Sequence, residues 1–161
     1  MTGFSSEKHL RRIIYLEINT NSMNKHKLFI LNKIILLMKI FTHNLLMCNK
    51  KTCTVNNFPL RIVSSNSKTV SIEFNQDLTQ KFLKKLDLPA LTQATKDLQL
   101  YKFDFEKLNE EEINNLEILK YIHHIINEVQ IVEGKLICNN CNREYIIHNG
   151  IPNLVLNDNE V

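Results

Sequence analysis

The sequence predicts an α+β fold: a zinc-ribbon-like antiparallel β domain built from both ends of the body, with a central helical insertion. Three observations lead there. All four cysteines fall in two tight pairs, Cys48-x4-Cys53 and Cys138-x2-Cys141, near opposite ends of the body. Apolar residues in the middle recur at helical spacings of three and four, whereas those near the cysteine pairs alternate or are bounded by turn residues. The overall balance, 43% hydrophobic and 23% charged over 161 residues, is that of a globular chain with one or two small domains.

Composition narrows the function classes. With 3 Gly, 3 Pro and no Trp, collagen-like chains, Gly-rich linkers and Pro-rich adaptors are excluded. The 16 Lys, 21 Asn and 19 Ile read as the coding bias of an A+T-rich genome, so abundant Asn is weak evidence of anything. The formal net charge is +3, but residues 1–37 hold six basic and two acidic side chains, which leaves the body slightly negative. A nucleic-acid binder concentrates positive charge on its folded body. Direct binding of RNA or DNA by the core is therefore disfavoured.

Residues 1–37 read as an N-terminal extension, either unstructured or a short helix. Leu28–Leu31 and Ile34–Met38 are apolar, yet Asn32, Lys33 and Lys39 interrupt them. A bilayer span needs about 20 mostly apolar residues, so no membrane segment is expected. No small-residue cleavage site follows Leu37, which argues against a secretory signal. A basic, acid-poor transit peptide and an early start assignment, with Met38 as the initiator, are the two remaining readings.

Residues 38–66 and 128–161 are assigned to the zinc-binding β domain and 67–127 to the helical domain. Lys39–Met47 has strand-compatible composition and leads into Cys48. Phe58–Val63 reads as a short strand entered through Pro59, and the alternation of Val70, Ile72 and Phe74 fits a strand or extended lead-in. Leu78, Phe82 and Leu86 form a helical stripe capped by Asn75 or Asp77. Pro89 suits the first turn of a next helix with Leu91, Ala94 and Leu98 inward. Tyr101–Leu108 is a connector. Asn109 and Glu112 resemble a capping box, opening a long helix whose stripe is Ile113, Leu116, Leu119, Ile122, Ile126 and Val129. Glu133-Gly134 then reads as a hairpin turn between Val129–Val132 and Lys135–Ile137, and Asn149-Gly150 as a second turn between Glu144–His148 and Ile151–Leu156.

The chemistry lies in the cysteines. Zn²⁺ accepts four thiolates in a tetrahedron, and pairs two to four residues apart are the usual way to supply them. Cys48, Cys53, Cys138 and Cys141 are the expected ligands of a structural zinc, with the alternatives of disulfides, buried free thiols and a redox Cys-x2-Cys at Cys138 and Cys141. More than eighty residues separate Cys53 from Cys141, against about 15–20 in a simple ribbon. The ion would thus clamp the two ends of the body together. A full four-sulfur shell leaves no open position for catalysis. His123 and His124 read as a solvent-facing helix edge, His43 and His148 as isolated, and no Gly-rich phosphate loop, Ser/His/Asp set or paired-carboxylate motif is present. No enzyme activity is expected.

Met38-Lys-Ile-Phe-Thr-His-Asn-Leu-Leu-Met-Cys48, Asn57-Phe-Pro-Leu60, Ser71-Ile-Glu-Phe-Asn75, Val132-Glu-Gly134 and Asn149-Gly-Ile-Pro-Asn-Leu154 occur in this order. Together with both cysteine pairs, the set resembles the small zinc-binding subunit family of multifunctional tRNA methyltransferases, over Met38 to the C-terminus. The resemblance implies a non-catalytic activator that forms heterodimers with S-adenosylmethionine-dependent methyltransferases acting on tRNA, rRNA and a translation release factor, in cytoplasm and nucleus. It further implies a partner surface that includes Thr42 and Asn44 of the opening strand and Ile151, Pro152, Asn153 and Leu154 after the turn. Pro152 lacks an amide donor and belongs at a sheet edge, and an edge rich in apolar residues invites strand addition. Ile151 and Leu154 are expected to divide between that edge and the core. The rival reading is a stand-alone zinc-ribbon module for RNA or a transcription or translation assembly, which requires a basic, aromatic-bearing face.

Overall fold

The computed structural model describes residues 37–157. The reading of residues 1–37 as an extension, targeting segment or early start falls, but for Leu37, outside the described residues. Side-chain alternation builds the sheet. Tyr145 and Ile147 are fully buried while Glu144, Ile146 and His148 between and beside them are exposed, the period-two pattern of a strand with one covered face. That strand is the third of four: β1 (Arg61–Thr69), β2 (Val129–Ile137), β3 (Glu144–His148) and β4 (Ile151–Pro152), antiparallel and in that spatial order. Ile62, Leu136 and Tyr145 lie in one cross-strand row and are all buried. The next row, Val63, Lys135 and Ile146, faces the other side, where Val63 and Ile146 are exposed.

The helices between β1 and β2 are set by their caps. α2 (Gln76–Leu83) begins where the Asn75 side chain accepts from Leu78 N–H. α3 (Leu88–Asp97) is capped by Asp87 and carries Pro89 in its first turn, and it packs against β1. After a 3-10 turn at Phe105–Lys107, the expected capping box of Asn109 and Glu112 opens α4 (Glu110–Asn114). Asn115 caps a separate helix, α5 (Leu116–His123), with its side chain on the amides of Glu117 and Ile118. The amides these caps satisfy are groups a helix start otherwise leaves unpaired.

Five expectations are corrected. The opening Lys39–Met47 segment is a helical turn, α1 (Ile40–His43), and only Lys39 makes a β-bridge, to Gln130. Local composition cannot compete with the core, which buries Met38, Ile40 and His43 completely. The short strand expected at Phe58–Val63 starts at Arg61 and runs on through the polar residues Ser64–Thr69, because β2 supplies the ladder; Val70–Phe74 is the extended lead-in, one of its two expected forms. The inward face of α2 is Thr79 and Leu83, continued by Leu86, while Leu78 is exposed and Phe82 sits against Phe41 with ring centroids 4.8 Å apart.

The long helix is broken at Asn115 and ends in a π-helical turn, His124–Glu128, where Val129 N–H reaches back to His124 O. The extra residue in that turn brings Ile125 and Ile126 both inside. Finally, Glu133-Gly134 is no turn: β2 passes straight through it. Gly134 is required by a close approach, since a Cβ there would lie 2.3 Å from the Val63 carbonyl oxygen, and β1 changes register opposite it. Asn149-Gly150 does form the expected two-residue turn, with φ of +51° and +77° and His148 paired to Ile151 across it.

Candidate metal centre and the outgoing edge

Two knuckles converge. The first follows α1: the Cys48 amide donates to Asn57 O, and a turn returns the Cys53 amide to Lys50 O. The second joins β2 to β3, with Cys138 N–H bonded to Arg143 O and Asn142 N–H to Cys138 O. Asn142, at φ +55°, supplies the left-handed residue this tight return needs. The four Sγ atoms lie within 4.8 Å of one another, and Cys48–Cys141 and Cys53–Cys138 are each separated by 3.6 Å. A covalent S–S bond is about 2.05 Å, so these are not disulfides. A tetrahedron with bonds of about 2.3 Å has edges of about 3.8 Å. The cluster therefore fits a single ion held by sulfur alone.

Electrostatics point the same way. Cys48, Cys53 and Cys138 are buried, and Cys141 is partly so. Burial pushes the Cys48 and Cys138 thiols up. At Cys53 the Asn140 amide pulls down, but desolvation and the Cys141 and Cys48 thiols prevail and the pKa rises. At Cys141 burial is overcome by the Arg143 amide and by the Cys48, Cys138 and Cys53 thiols, which hold it at about 7. Four sulfurs of which one ionises readily carry their full charge only around a cation, which is the behaviour of a metal-binding set.

Side chains that cysteine spacing does not reveal complete the surroundings. Tyr145, fully buried, places its hydroxyl 3.0 Å from Cys48 Sγ, and Asn140 Nδ2 donates to Cys53 Sγ at 3.2 Å. Burial and the neighbouring Cys48 raise the Tyr145 pKa, keeping the phenol a donor. The signal was present in the sequence as position: Tyr145 shares the inward parity of Ile147, four residues after Cys141.

The expected partner-surface residues separate into two groups. Thr42 and Asn44 are 8% and 6% exposed, on α1 and its cap rather than on a strand. Thr42 Oγ1 donates to Leu37 O at 3.1 Å, and Asn44 is bonded to the backbone of Asp87, so both hold the body together from within. Ile151 is 45% exposed and Asn153 is exposed, while Pro152 and Leu154 are half-buried. These four lie at the last strand of the sheet, past which no further strand pairs among the described residues.

The histidines are not gathered. His123, expected at a solvent-facing edge, is 6% exposed: its Nε2 donates to Ile72 O at 3.1 Å, its Nδ1 accepts from Asn127, and Phe74 meets the ring edge-on. The extended Val70–Phe74 segment covers it, a contact no local pattern announces. His124 pairs with Glu128 at 2.7 Å, His148 with Glu133 at 3.1 Å, and His43 donates to Leu60 O. No helix of the described residues is long and apolar enough to cross a membrane.

A family model described as "Trm112p-like protein" matches residues 39–150. The chain is 32% identical over 126 residues to a "Multifunctional methyltransferase subunit trm112" of Schizosaccharomyces pombe, covering 77% of this chain and all of that protein. It is 34% identical over 123 residues to a "TRM112-like protein" of the same description from Bos taurus, covering 76% and 98%. The counterpart from Saccharomyces cerevisiae is 32% identical over 133 residues, covering 74% and 96%. A solved chain from the Mtq2-Trm112 complex of E. cuniculi aligns at 22% identity and a TM-score of 0.44, covering 73% and 95%, a likeness too loose to add to the sequence relatives. Both cysteine pairs lie within the matched span, as do α1, the first three strands of the sheet and the Asn149-Gly150 turn, and the chain belongs to the Trm112p-like family.

Proposed function

We propose that this chain is a non-catalytic activating and stabilising subunit of S-adenosylmethionine-dependent methyltransferases, held in shape by one structural Zn²⁺ on Cys48, Cys53, Cys138 and Cys141. What supports it is family membership, with relatives named as multifunctional methyltransferase subunits, together with a four-sulfur cluster whose shell is complete without substrate or water. The single observation that carries the docking part is the end of the sheet. β4 pairs on one side only, is two residues long, and presents Ile151 at 45% exposure followed by Asn153 and Leu154. Strand addition there would satisfy open backbone groups and cover apolar side chains. Thr42 and Asn44, 8% and 6% exposed, offer this docking surface little area of their own.

The substrates of those methyltransferases are proposed to be tRNA, rRNA and a translation release factor, and the place of action the cytoplasm and nucleus. The test is co-expression with a purified-tag S-adenosylmethionine-dependent methyltransferase. A heterodimer that survives gel filtration, and a methyltransferase that is insoluble or inactive alone, are the expected outcome. Ile151→Asp should abolish the complex with one zinc per chain retained. A monomer that changes neither solubility nor activity of any methyltransferase tried would sink the reading, and salt-dependent RNA binding by residues 38–161 would favour the stand-alone module instead.

A further inference from the structure

The last ladder hydrogen bond runs from Asn153 N–H to Ile146 O at 2.8 Å. Beyond it the chain leaves regular strand geometry, yet Leu154 and Val155 are held by their carbonyls. Asn49 Nδ2 donates to Leu154 O at 2.8 Å, and Arg143 Nη2 donates to Val155 O at 2.8 Å. The two donors have a common origin. Asn49 directly follows Cys48, and Arg143 stands two residues after Cys141. Those two cysteines are themselves a contacting pair, with sulfurs 3.6 Å apart.

Each donor is in turn positioned by Tyr145. Its hydroxyl accepts from Asn49 N–H at 3.1 Å and lies 3.0 Å from both Asn49 Oδ1 and Cys48 Sγ. Its ring lies under the Arg143 guanidinium, 5.0 Å from centroid to Cζ. One proton cannot serve Cys48 Sγ and Asn49 Oδ1 at once. Donated to Asn49 Oδ1, the hydroxyl proton orients the amide with its Nδ2 toward Leu154, and Cys48 Sγ is the competing acceptor 3.0 Å away.

We propose that Asn49 and Arg143 are positioning residues that clamp the outgoing segment Asn153–Leu156 to the Cys48/Cys141 half of the metal cluster, so that the metal and the docking edge are set as one unit. This rests on the reading of Ile151–Leu154 as the partner surface, and it names what holds that surface in shape. Linkage then makes the coupling reciprocal: a metal that stiffens the edge favours the partner, and a bound partner retains the metal. The chain is free to fold without the clamp, because both bonds lie at the rim and the β2–β3 ladder does not pass through them.

The experiment is residue-resolved amide exchange by NMR on the full chain carrying its zinc, with Asn49→Asp/Arg143→Gln beside wild type. Asp keeps the Oδ1 acceptor and removes the Nδ2 donor. Exchange at Asn153 and Val155 should rise about tenfold, the loss of two rim hydrogen bonds, with Leu136 and Tyr145 unchanged and one zinc per chain. Chelation of the metal from wild type should reproduce the rise at Asn153 and Val155. Arg143→Lys with native Asn49 should recover most of the protection. Exchange unchanged in the double variant, or rising equally throughout the β2–β3 ladder, would overturn the clamp. In a parallel arm a co-expressed methyltransferase should be retained about tenfold less by the double variant. Should wild type retain none, the partner reading fails, while the exchange result still judges the clamp by itself.

Discussion

Asn44 and Asp87, 43 residues apart, exchange two hydrogen bonds: Asn44 Nδ2 donates to Asp87 O at 2.8 Å, and Asp87 N–H donates to Asn44 Oδ1 at 2.9 Å. Asp87 then caps α3 through its own carboxylate on Ala90 N–H. One amide therefore fixes where the first knuckle's approach meets the helical insertion. Asn44→Ala leaves the Asp87 N–H without a partner, and leaves Asp87 O with Leu91 N–H alone, in a site where Asn44 is 6% exposed. It should cost about 1–3 kcal/mol, read as a lower midpoint in urea with an unchanged m-value.

Gly134 tests the close pairing of β1 and β2. A Cβ at 2.3 Å from Val63 O has backbone, not a flexible side chain, in its way. Gly134→Ala should therefore destabilise the chain by about 1–3 kcal/mol, whereas Val132→Ala, half-buried in the same strand, should cost less. Equal costs by thermal denaturation would show that the strands part easily here.

The metal should behave as a structural clamp. Purified protein is expected to hold one zinc per chain, and a chelator should lower its stability by about 4 kcal/mol or more, the order of the entropy of closing so long a loop. Cys138→Ser, at a fully buried ligand, should lower zinc content and stability together. Metal analysis and thermal melts of the same samples check both.

His43 carries a pH dependence of definite sign. Its ring is buried, Nε2 donates to Leu60 O, and Nδ1 has no hydrogen-bond partner. Burial, only partly opposed by the Leu60 carbonyl and the Asp97 charge, depresses its pKa below 6.5. Between the folded and unfolded values the unfolded chain binds the extra proton. Stability is thus complete above about 6.5 and falls as the pH drops, by at most about 1.4 kcal/mol per pH unit. His43→Gln should flatten that part of the profile relative to wild type. Since thiolate protonation is common to both proteins, the difference between the two curves isolates His43.

Much of this was legible in local sequence. Asn75 and Asn109 announce their helices because a cap needs only a side chain and an amide two or three residues away. Asn149-Gly150 announces its turn for a similar reason. The Asn surplus was undervalued: besides Asn75 and Asn109, Asn115 caps a helix, and Asn56, Asn142 and Asn149 take positive φ. The misread elements have the opposite character. Lys39–Met47 looked like a strand and Glu133-Gly134 like a turn, and each was overruled by a neighbour distant in the chain, the helical core in one case and Val63 in the other.

The sequence alone determined the two cysteine pairs, the presence of helices between strands, and the family, because spacing, periodicity and motif order are properties of the chain itself. Only the tertiary structure decided that Thr42, Asn44 and His123 face inward, that Gly134 lies against another strand, and that Asn49 and Arg143 reach the same outgoing segment. Each of these depends on atoms brought within a few ångströms from far along the chain, and no local pattern encodes which distant group will arrive.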